Sequence, residues 1–235
     1  MRRMKLRMAI VSLLFSAVLL AQVPGEVEIT AEPHHHLALE NQYVRVFKVQ
    51  VDPNAATLMH RHRHDYVFVT LGASEVENDV AGKPPAKIKL QDGETRFTPG
   101  NFAHIAKNLA PTPFRNVTIE LLKDDEARKS LPKWDEERGL NVLDGGTQDV
   151  LFVKDGVRVS DVQLQPGGVI PKHHHAGPHL VVAVTDLELR SDVDGKGSTR
   201  VQQKAGDIGW VGGASTHTLT NTGKQPARFI TLEFR

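Results

Sequence analysis

Gly93-Glu94-Thr95-Arg96-Phe97-Thr98-Pro99-Gly100-Asn101-Phe102-Ala103-His104-Ile105-Ala106-Lys107-Asn108 carries the fold assignment for this chain. It holds a glycine, a short β-prone run, a Pro-Gly turn, a histidine inside the next run, and an asparagine four residues after it. The same order returns at Gly206, Gly212-Gly213, His217 and Asn221, with Gly212 where the first copy has proline. Working outward, both stretches belong to one ungapped repeat that sets Val44 on Val157 and keeps that register to the C-terminus. Val44-Arg45-Val46 falls on Val157-Arg158-Val159, Val49-Gln50 on Val162-Gln163, and Pro53 on Pro166. His60 and His62 fall on His173 and His175, Gly82-Lys83 on Gly195-Lys196, and Arg115, Thr118 and Glu120 on Arg228, Thr231 and Glu233. About 22 of the ~77 positions paired between 44–120 and 157–233 are identical, where composition alone gives roughly 5. The sequence therefore predicts two copies of one domain.

Each copy reads as a series of short strands. Val44 to Val51, Tyr66 to Leu71, Lys87 to Leu90 and Phe114 to Leu122 are rich in β-branched and aromatic residues, as are Val157 to Leu164, Leu180 to Val184 and Phe229 to Phe234. Asp52-Pro53-Asn54, Gly82-Lys83-Pro84-Pro85, Pro166-Gly167-Gly168 and Asp194-Gly195-Lys196-Gly197 are turn signals between them. Strands at this spacing predict an all-β barrel or sandwich in each half. The charged segment between the halves, broken by Pro132 and Gly145-Gly146, is expected to be a linker with a helical turn near Asp124 to Ser130.

The chain has 12 histidines and no cysteine, so a disulfide framework, a zinc ribbon, an iron–sulfur site and a thiol nucleophile are excluded. All the histidines fall at 34–36, 60/62/64, 104, 173–175/179 and 217. His60 and His62, like His173 and His175, are two residues apart, which on a strand puts both rings on one face. A third histidine follows in each half, and the step from His62 to His104 equals the step from His175 to His217. Three neutral imidazoles converging inside a barrel make a facial site for a divalent transition metal (Fe, Mn, Zn, Ni or Cu) with open positions.

On these residues the chain resembles a bicupin. The first cupin motif has His-x-His, here His60-Arg61-His62 and His173-His174-His175, and the second is the glycine-to-asparagine stretch quoted above. The resemblance covers nearly everything after residue 40 and implies two tandem cupin (double-stranded β-helix or jelly-roll) barrels. It divides the chain into a leader at 1–21, an arm at 22–40, barrels at 41–123 and 150–235, and a linker at 124–149. Where the family motif has a glutamate ligand, four residues after His-x-His, this chain has Tyr66 and His179. The expected ligand sets are therefore His60, His62 and His104, with Tyr66 as a fourth ligand or a hydrogen-bonding neighbour, and His173, His175, His179 and His217. The tripeptide His34-His35-His36 is expected to be a solvated polar run, with closure over a barrel mouth or metal scavenging as the alternatives. Arg61 and Arg63 are expected to face solvent.

In phase with the second-half ligands lie Val181, Ala183, Ser215 and Leu219, a small and mostly apolar pocket with no evident Asp, Glu or Lys acid–base partner. Chemistry carried by the metal fits such a pocket better than sugar-phosphate isomerisation, and the resemblance implies a metal-dependent oxidoreductase of dioxygenase type, or a lyase, acting on a small and largely uncharged molecule. The alternative is a non-catalytic protein that binds metal or a small ligand for sensing or storage.

At the N-terminus Arg2, Arg3, Lys5 and Arg7 precede an uncharged run from Met8 to Ala21, which reads as a secretory signal peptide and an expected periplasmic or secreted protein. The run is shorter than the ~20 residues of a membrane span, so any membrane contact is expected through this segment alone. Without residues 1–21 the net charge moves from +1 to −3, and no basic patch points to nucleic acid. The partner expected is a small molecule, with a homo-oligomer left open.

Overall fold

A computed structural model describes residues 25–122, 139–154 and 156–235. The expected leader and the expected helical turn at 124–130 lie outside the described residues. Among the described residues there is no α-helix, only a 3-10 turn at Ile29–Ala31 and eighteen strands.

The first half builds two five-stranded sheets. One has the order β1 (Val27–Glu28), β4 (His60–His62), β9 (Phe102–Asn108), β6 (Ser74–Val80), β7 (Ala86–Leu90). The other runs β2 (His35–Glu40), β3 (Val44–Val51), β10 (Phe114–Leu121), β5 (Tyr66–Leu71), β8 (Thr95–Thr98). The second half repeats this layout, but its β3 and β4 equivalents are one strand, β12 (Val157–His175). This strand pairs with β18 (Ala227–Phe234) through Leu164 and with β17 (Ser215–Asn221) from Val169 onward, bending between the two at Pro166-Gly167-Gly168. The sheet order is β15 (Gly197–Gln203), β14 (Leu187–Val193), β17, β12, β18, β13 (His179–Ala183), β16 (Ile208–Val211), and β11 (Gly139–Lys154) lies on β12.

Two expectations about the connecting segments are corrected here. Residues 139–149, read as linker, belong to β11, and residues 35–40 of the expected arm are β2. Both strands occupy the same place. His35 lies opposite Val49 as Gln148 lies opposite Val162, and Glu40 opposite Arg45 as Val153 opposite Arg158. Sequence alone hid this, because the two strands share almost no residues, β2 reads as a polar histidine run, and β11 carries the glycine and charge signals of a loop.

Buried side chains form three clusters. Phe47, Val49, Val51, Val76, Leu90 and Phe114 fill the first jelly roll, and Val162, Leu164, Ile170, Leu187, Leu189 and Phe229 fill the second. The third cluster lies between them and takes residues from both halves, Val44, Val46, Val67, Val69, Val117 and Ile119 meeting Val157, Val159, Leu180, Val182, Ile230 and Leu232. Burying a side chain of this size stabilises by about 1.5–3 kcal/mol, so the halves are joined by a core of their own. Lys48 Nζ to Asp207 Oδ1 at 2.9 Å and Arg228 Nη1 to the Asp92 carbonyl at 2.9 Å close the edge of this interface. Gly93 is needed there. Its φ of 70° is left-handed, and a Cβ would stand 2.5 Å from the Arg228 guanidinium carbon.

The motif asparagines prove structural. Asn108 Nδ2 donates to the carbonyls of Val51 and Thr112. Asn221 Nδ2 donates to those of Leu164 and Gln225, the repeat equivalents of the same two residues. These bonds tie the end of the histidine-bearing strand to its neighbours.

Candidate metal centres

Strand pairing brings the histidines together as their spacing requires. His60 pairs with His104 across β4 and β9, and His173 with His217 across β12 and β17. In the second half His173 Nε2 lies 3.0 Å from His175 Nε2, which lies 3.2 Å from His217 Nε2. The Nδ1 atoms of His173 and His217 are hydrogen-bonded, and that of His175 is at ion-pair distance from a carboxylate. His173 Nδ1 is 2.8 Å from the Pro171 carbonyl, His175 Nδ1 is 2.7 Å from Glu233 Oε1, and His217 Nδ1 is 2.7 Å from Ser191 Oγ.

These contacts favour one tautomer for each ring. A carbonyl and a carboxylate only accept, so Nδ1 of His173 and of His175 carries hydrogen and Nε2 of each presents a lone pair. Two lone pairs facing at 3.0 Å repel unless a proton or a cation stands between them. Burial holds His173 below its usual pKa and, together with His173 and His175, pushes His217 down to about 4, so a proton is disfavoured. A metal fits the donor set. On a metal at ~2.1 Å, two nitrogens at right angles lie about 3.0 Å apart, and two at the tetrahedral angle about 3.4 Å. The observed distances of 3.0 and 3.2 Å fall within this range.

The first half has the same skeleton. His60 Nδ1 is 2.9 Å from the Leu58 carbonyl and His104 Nδ1 is 2.6 Å from Asn78 Oδ1. Leu58 and Asn78 are the repeat equivalents of Pro171 and Ser191. Nε2 of both His60 and His104 is buried without a hydrogen-bond partner, as a ligand nitrogen should be. Burial pushes His60 down to about 4 and holds His62 and His104 well below their ordinary range.

The residues at the fourth positions stack on the motif histidines. His179 stacks face to face on His175 at 4.1 Å and 23°, as Tyr66 stacks on His62 at 4.2 Å and 19°. The ligand nitrogens of His173, His175 and His217 lie within 4.8 Å of one another, and His179 packs beside this set on the His175 ring. Burial pushes the Tyr66 hydroxyl up to about 12. In the first half the expected solvated run supplies His35 to a group with His60 and His62, and His104 lies outside that 4.8 Å set. The His35 side chain is buried, its ring 4.7 Å from that of His60, and its ligand nitrogen lies within 4.8 Å of those of His60 and His62. His34 stays at the edge on Glu32, and His36 is exposed.

Glutamates that the sequence reading passed over stand behind the rings. Glu233 joins His175 to Arg158, whose Nε is 2.8 Å from Glu233 Oε2; burial alone would raise this carboxyl, but His175 and Arg158 hold it below its usual range. Its counterpart Glu120 is 3.9 Å from His62 Nδ1, and burial, only partly offset by Arg45, raises it to about 7. Their signal was present in the repeat, where Arg45/Glu120 and Arg158/Glu233 are identical pairs. Arg61, expected in solvent, is buried against Glu26, whereas Arg63 is exposed beside Glu28.

Each histidine group opens on a cavity. The second, about 370 Å3, is walled by Val181, Ser215 and Leu219 as expected, and also by Gln148, Trp210 and Glu233, with Lys196 among its residues. The expectation of no acid or lysine near this pocket is thus corrected. Ala183 is not in its wall; it is fully buried in the second core cluster. The first cavity is smaller, about 160 Å3, and His35, Tyr66, Phe68 and Phe102 line it.

An all-β jelly roll with histidines converging inside it defines a cupin fold. Residues 160–233, most of the second half, match the family model described as Cupin domain. Solved structures of Bacillus subtilis oxalate decarboxylase share the fold. One, concerned with that enzyme's Mn(II) centers, aligns at a TM-score of 0.60 with 14% identity over 85% of this chain and 75% of the other. A second, at pH 4.6, aligns at 0.60 with 13% identity over 82% and 68%. No curated protein matches the chain in sequence.

Proposed function

We propose that the protein is an exported bicupin metalloenzyme, an oxidoreductase of dioxygenase type that acts on a small, largely uncharged molecule at its second-half centre. The facing lone pairs of His173 and His175, 3.0 Å apart, carry the metal assignment. Three neutral imidazoles leave a bound Fe, Mn, Zn, Ni or Cu its full charge and open positions, so the metal would supply Lewis-acid or redox chemistry there. His173, His175 and His217 would hold it. Glu233 keeps the proton on His175 Nδ1 and orients the ring. Val181, Leu219 and Trp210 exclude water and favour an apolar substrate body, while Ser215 and Gln148 offer hydrogen bonds that orient it. Oxalate, the substrate named for the structural neighbours, is a compact dianion and suits these walls poorly.

The internal repeat supports the duplication, and the uncharged run after Arg2 and Arg3 supports export by the general secretory route, since Lys5 stands where a twin-arginine signal prefers an apolar residue. The alternative of metal binding without catalysis draws on the first half, where His35 stands over a small cavity.

The test is to purify the exported protein from its host, measure its metals, and follow oxygen uptake across a panel of small molecules with oxalate included. Bound metal with oxygen consumed on an uncharged substrate supports the enzyme. Bound metal with no turnover of any compound favours the binding protein.

A further inference from the structure

The segment just ahead of the repeat carries a difference that the repeat conceals. Strands β2 and β11 lie on equivalent neighbours in the same register, and each points one residue at the centre of its half: His35 opposite Val49, Gln148 opposite Val162. Both residues line their cavities. We infer that this one position sets the coordination of each centre, His35 closing the first as a fourth imidazole ligand and Gln148 leaving the second open to an exogenous molecule. The inference rests on the metal reading above.

Glu32 makes His35 a ligand. Its side chain is wholly buried and gathers the His35 Nδ1 at 2.6 Å, the His34 Nδ1 at 2.9 Å, and the backbone amides of His34 and Leu58 at 2.8 and 3.1 Å. A carboxylate oxygen has no proton to give to these donors, so it accepts from His35. The proton then sits on Nδ1 and His35 Nε2 keeps a lone pair, with the ligand nitrogens of His35, His60 and His62 within 4.8 Å of one another. His60 and His104 present buried, unpartnered Nε2 atoms to the same space. In the second half the place of Glu32 is taken by Gly145, which has no side chain to build such a clamp. An amide at Gln148 is a weak metal ligand and a good hydrogen-bond partner, which suits a position that must admit another molecule.

Cobalt(II) is the probe, since its visible spectrum reports coordination, and azide tests for an open position. His217→Ala isolates the first centre and His104→Ala the second, each in the full chain. The His217→Ala protein should bind one cobalt whose spectrum azide does not change, and the His104→Ala protein one cobalt whose spectrum azide shifts. Adding His35→Gln to the former should raise the cobalt dissociation constant about 100-fold and make the spectrum respond to azide; Glu32→Gln, which leaves every ligand in place, should raise it about 10-fold. Adding Gln148→His to His104→Ala should abolish the azide response. Far-ultraviolet circular dichroism, and retention of second-centre cobalt by His35→Gln alone, separate a lost ligand from a lost fold. An unchanged dissociation constant and no azide response in His35→Gln would overturn the inference and leave the metal reading intact. Failure of either centre to bind cobalt in the unsubstituted protein would overturn both.

Discussion

Glu233 stands 2.7 Å from His175 Nδ1, whereas Glu120, its repeat equivalent in the first half, stands 3.9 Å from His62 Nδ1. The cause lies one strand away. In the first half Glu40 takes Arg45 with contacts of 2.9 and 3.0 Å, leaving Glu120 a single one at 3.3 Å. In the second half Val153 occupies the place of Glu40, and Arg158 is bound to Glu233. The same strands also supply His35 to one centre and Gln148 to the other. The histidine skeleton is shared between the halves, while the groups that tune it differ, and most of the difference comes from β2 and β11. A scaffold of this kind can hold two metals with unlike access and unlike basicity at their ligands.

The largest effect expected is loss of one metal without the other. His217→Ala removes one of three converging nitrogens and should weaken second-centre binding by more than about 100-fold while the first centre keeps its metal. The fold should survive, because packing among Val162, Leu189 and Phe229 does not involve the ring. Metal analysis of the purified variant is the check, and full content at both centres would break the assignment.

Acid should unfold the metal-free protein, with the first half the more sensitive. An unfolded histidine binds its proton near pH 6.5, whereas His60 in the fold does so only at about 4. Between those values the unfolded chain holds more protons, so stability is fully present above about 6.5 and falls as the pH drops toward 4. His60, only 1% exposed, accounts for about 3 kcal/mol of that loss. His173 is more exposed, so His60→Gln should relieve the acid sensitivity more than His173→Gln. Urea midpoints at pH 7 and pH 4.5 on chelator-treated protein measure it, and equal relief by the two variants would erase the distinction.

The same comparison shows what a sequence can carry. Residues that must be identical to do the same work, His60/His173, His104/His217 and Asn108/Asn221, announced themselves by recurring at one offset, and the strands followed from their alternation. His35 and Gln148 do different work at one place, so nothing in their identities linked them. Only the register of β2 and β11 does so, and β11 looked like a linker because Gly145-Gly146 and its charges are loop signals. Glu120 and Glu233 were legible as identities, but their nearness to the rings depends on how β10 and β18 face the histidine strands. Whether His179 serves as a ligand turns on ring orientation, which spacing along a strand does not specify.

Smaller effects should come from the carboxylates. Glu233→Gln keeps the shape but removes the charge that holds the proton on His175 Nδ1, and should weaken second-centre metal binding by roughly 10-fold. Glu120→Gln, starting from 3.9 Å and a carboxyl raised to about 7, should weaken the first centre by less than about 3-fold. Titration with a competing chelator gives both values, and a larger effect at Glu120 would reverse the account of Arg45 and Glu40.

The smallest effect expected is at His179, and it tests the stacked geometry directly. His179→Tyr installs the residue that the first half has at this position, Tyr66, whose ring packs on His62 as His179 packs on His175. A tyrosine preserves that packing, which is worth about 0.5–1.5 kcal/mol for aromatic pairs. If His179 is wall and not ligand, the variant should hold its second-centre metal within about 3-fold of the parent, since no coordinating nitrogen is lost. Tyrosine does not replace an imidazole lone pair in the same direction, so a true fourth ligand would show a loss of about 100-fold or more in the same chelator competition. That loss, with circular dichroism unchanged, would restore a four-imidazole second centre and remove the contrast between a closed and an open metal site.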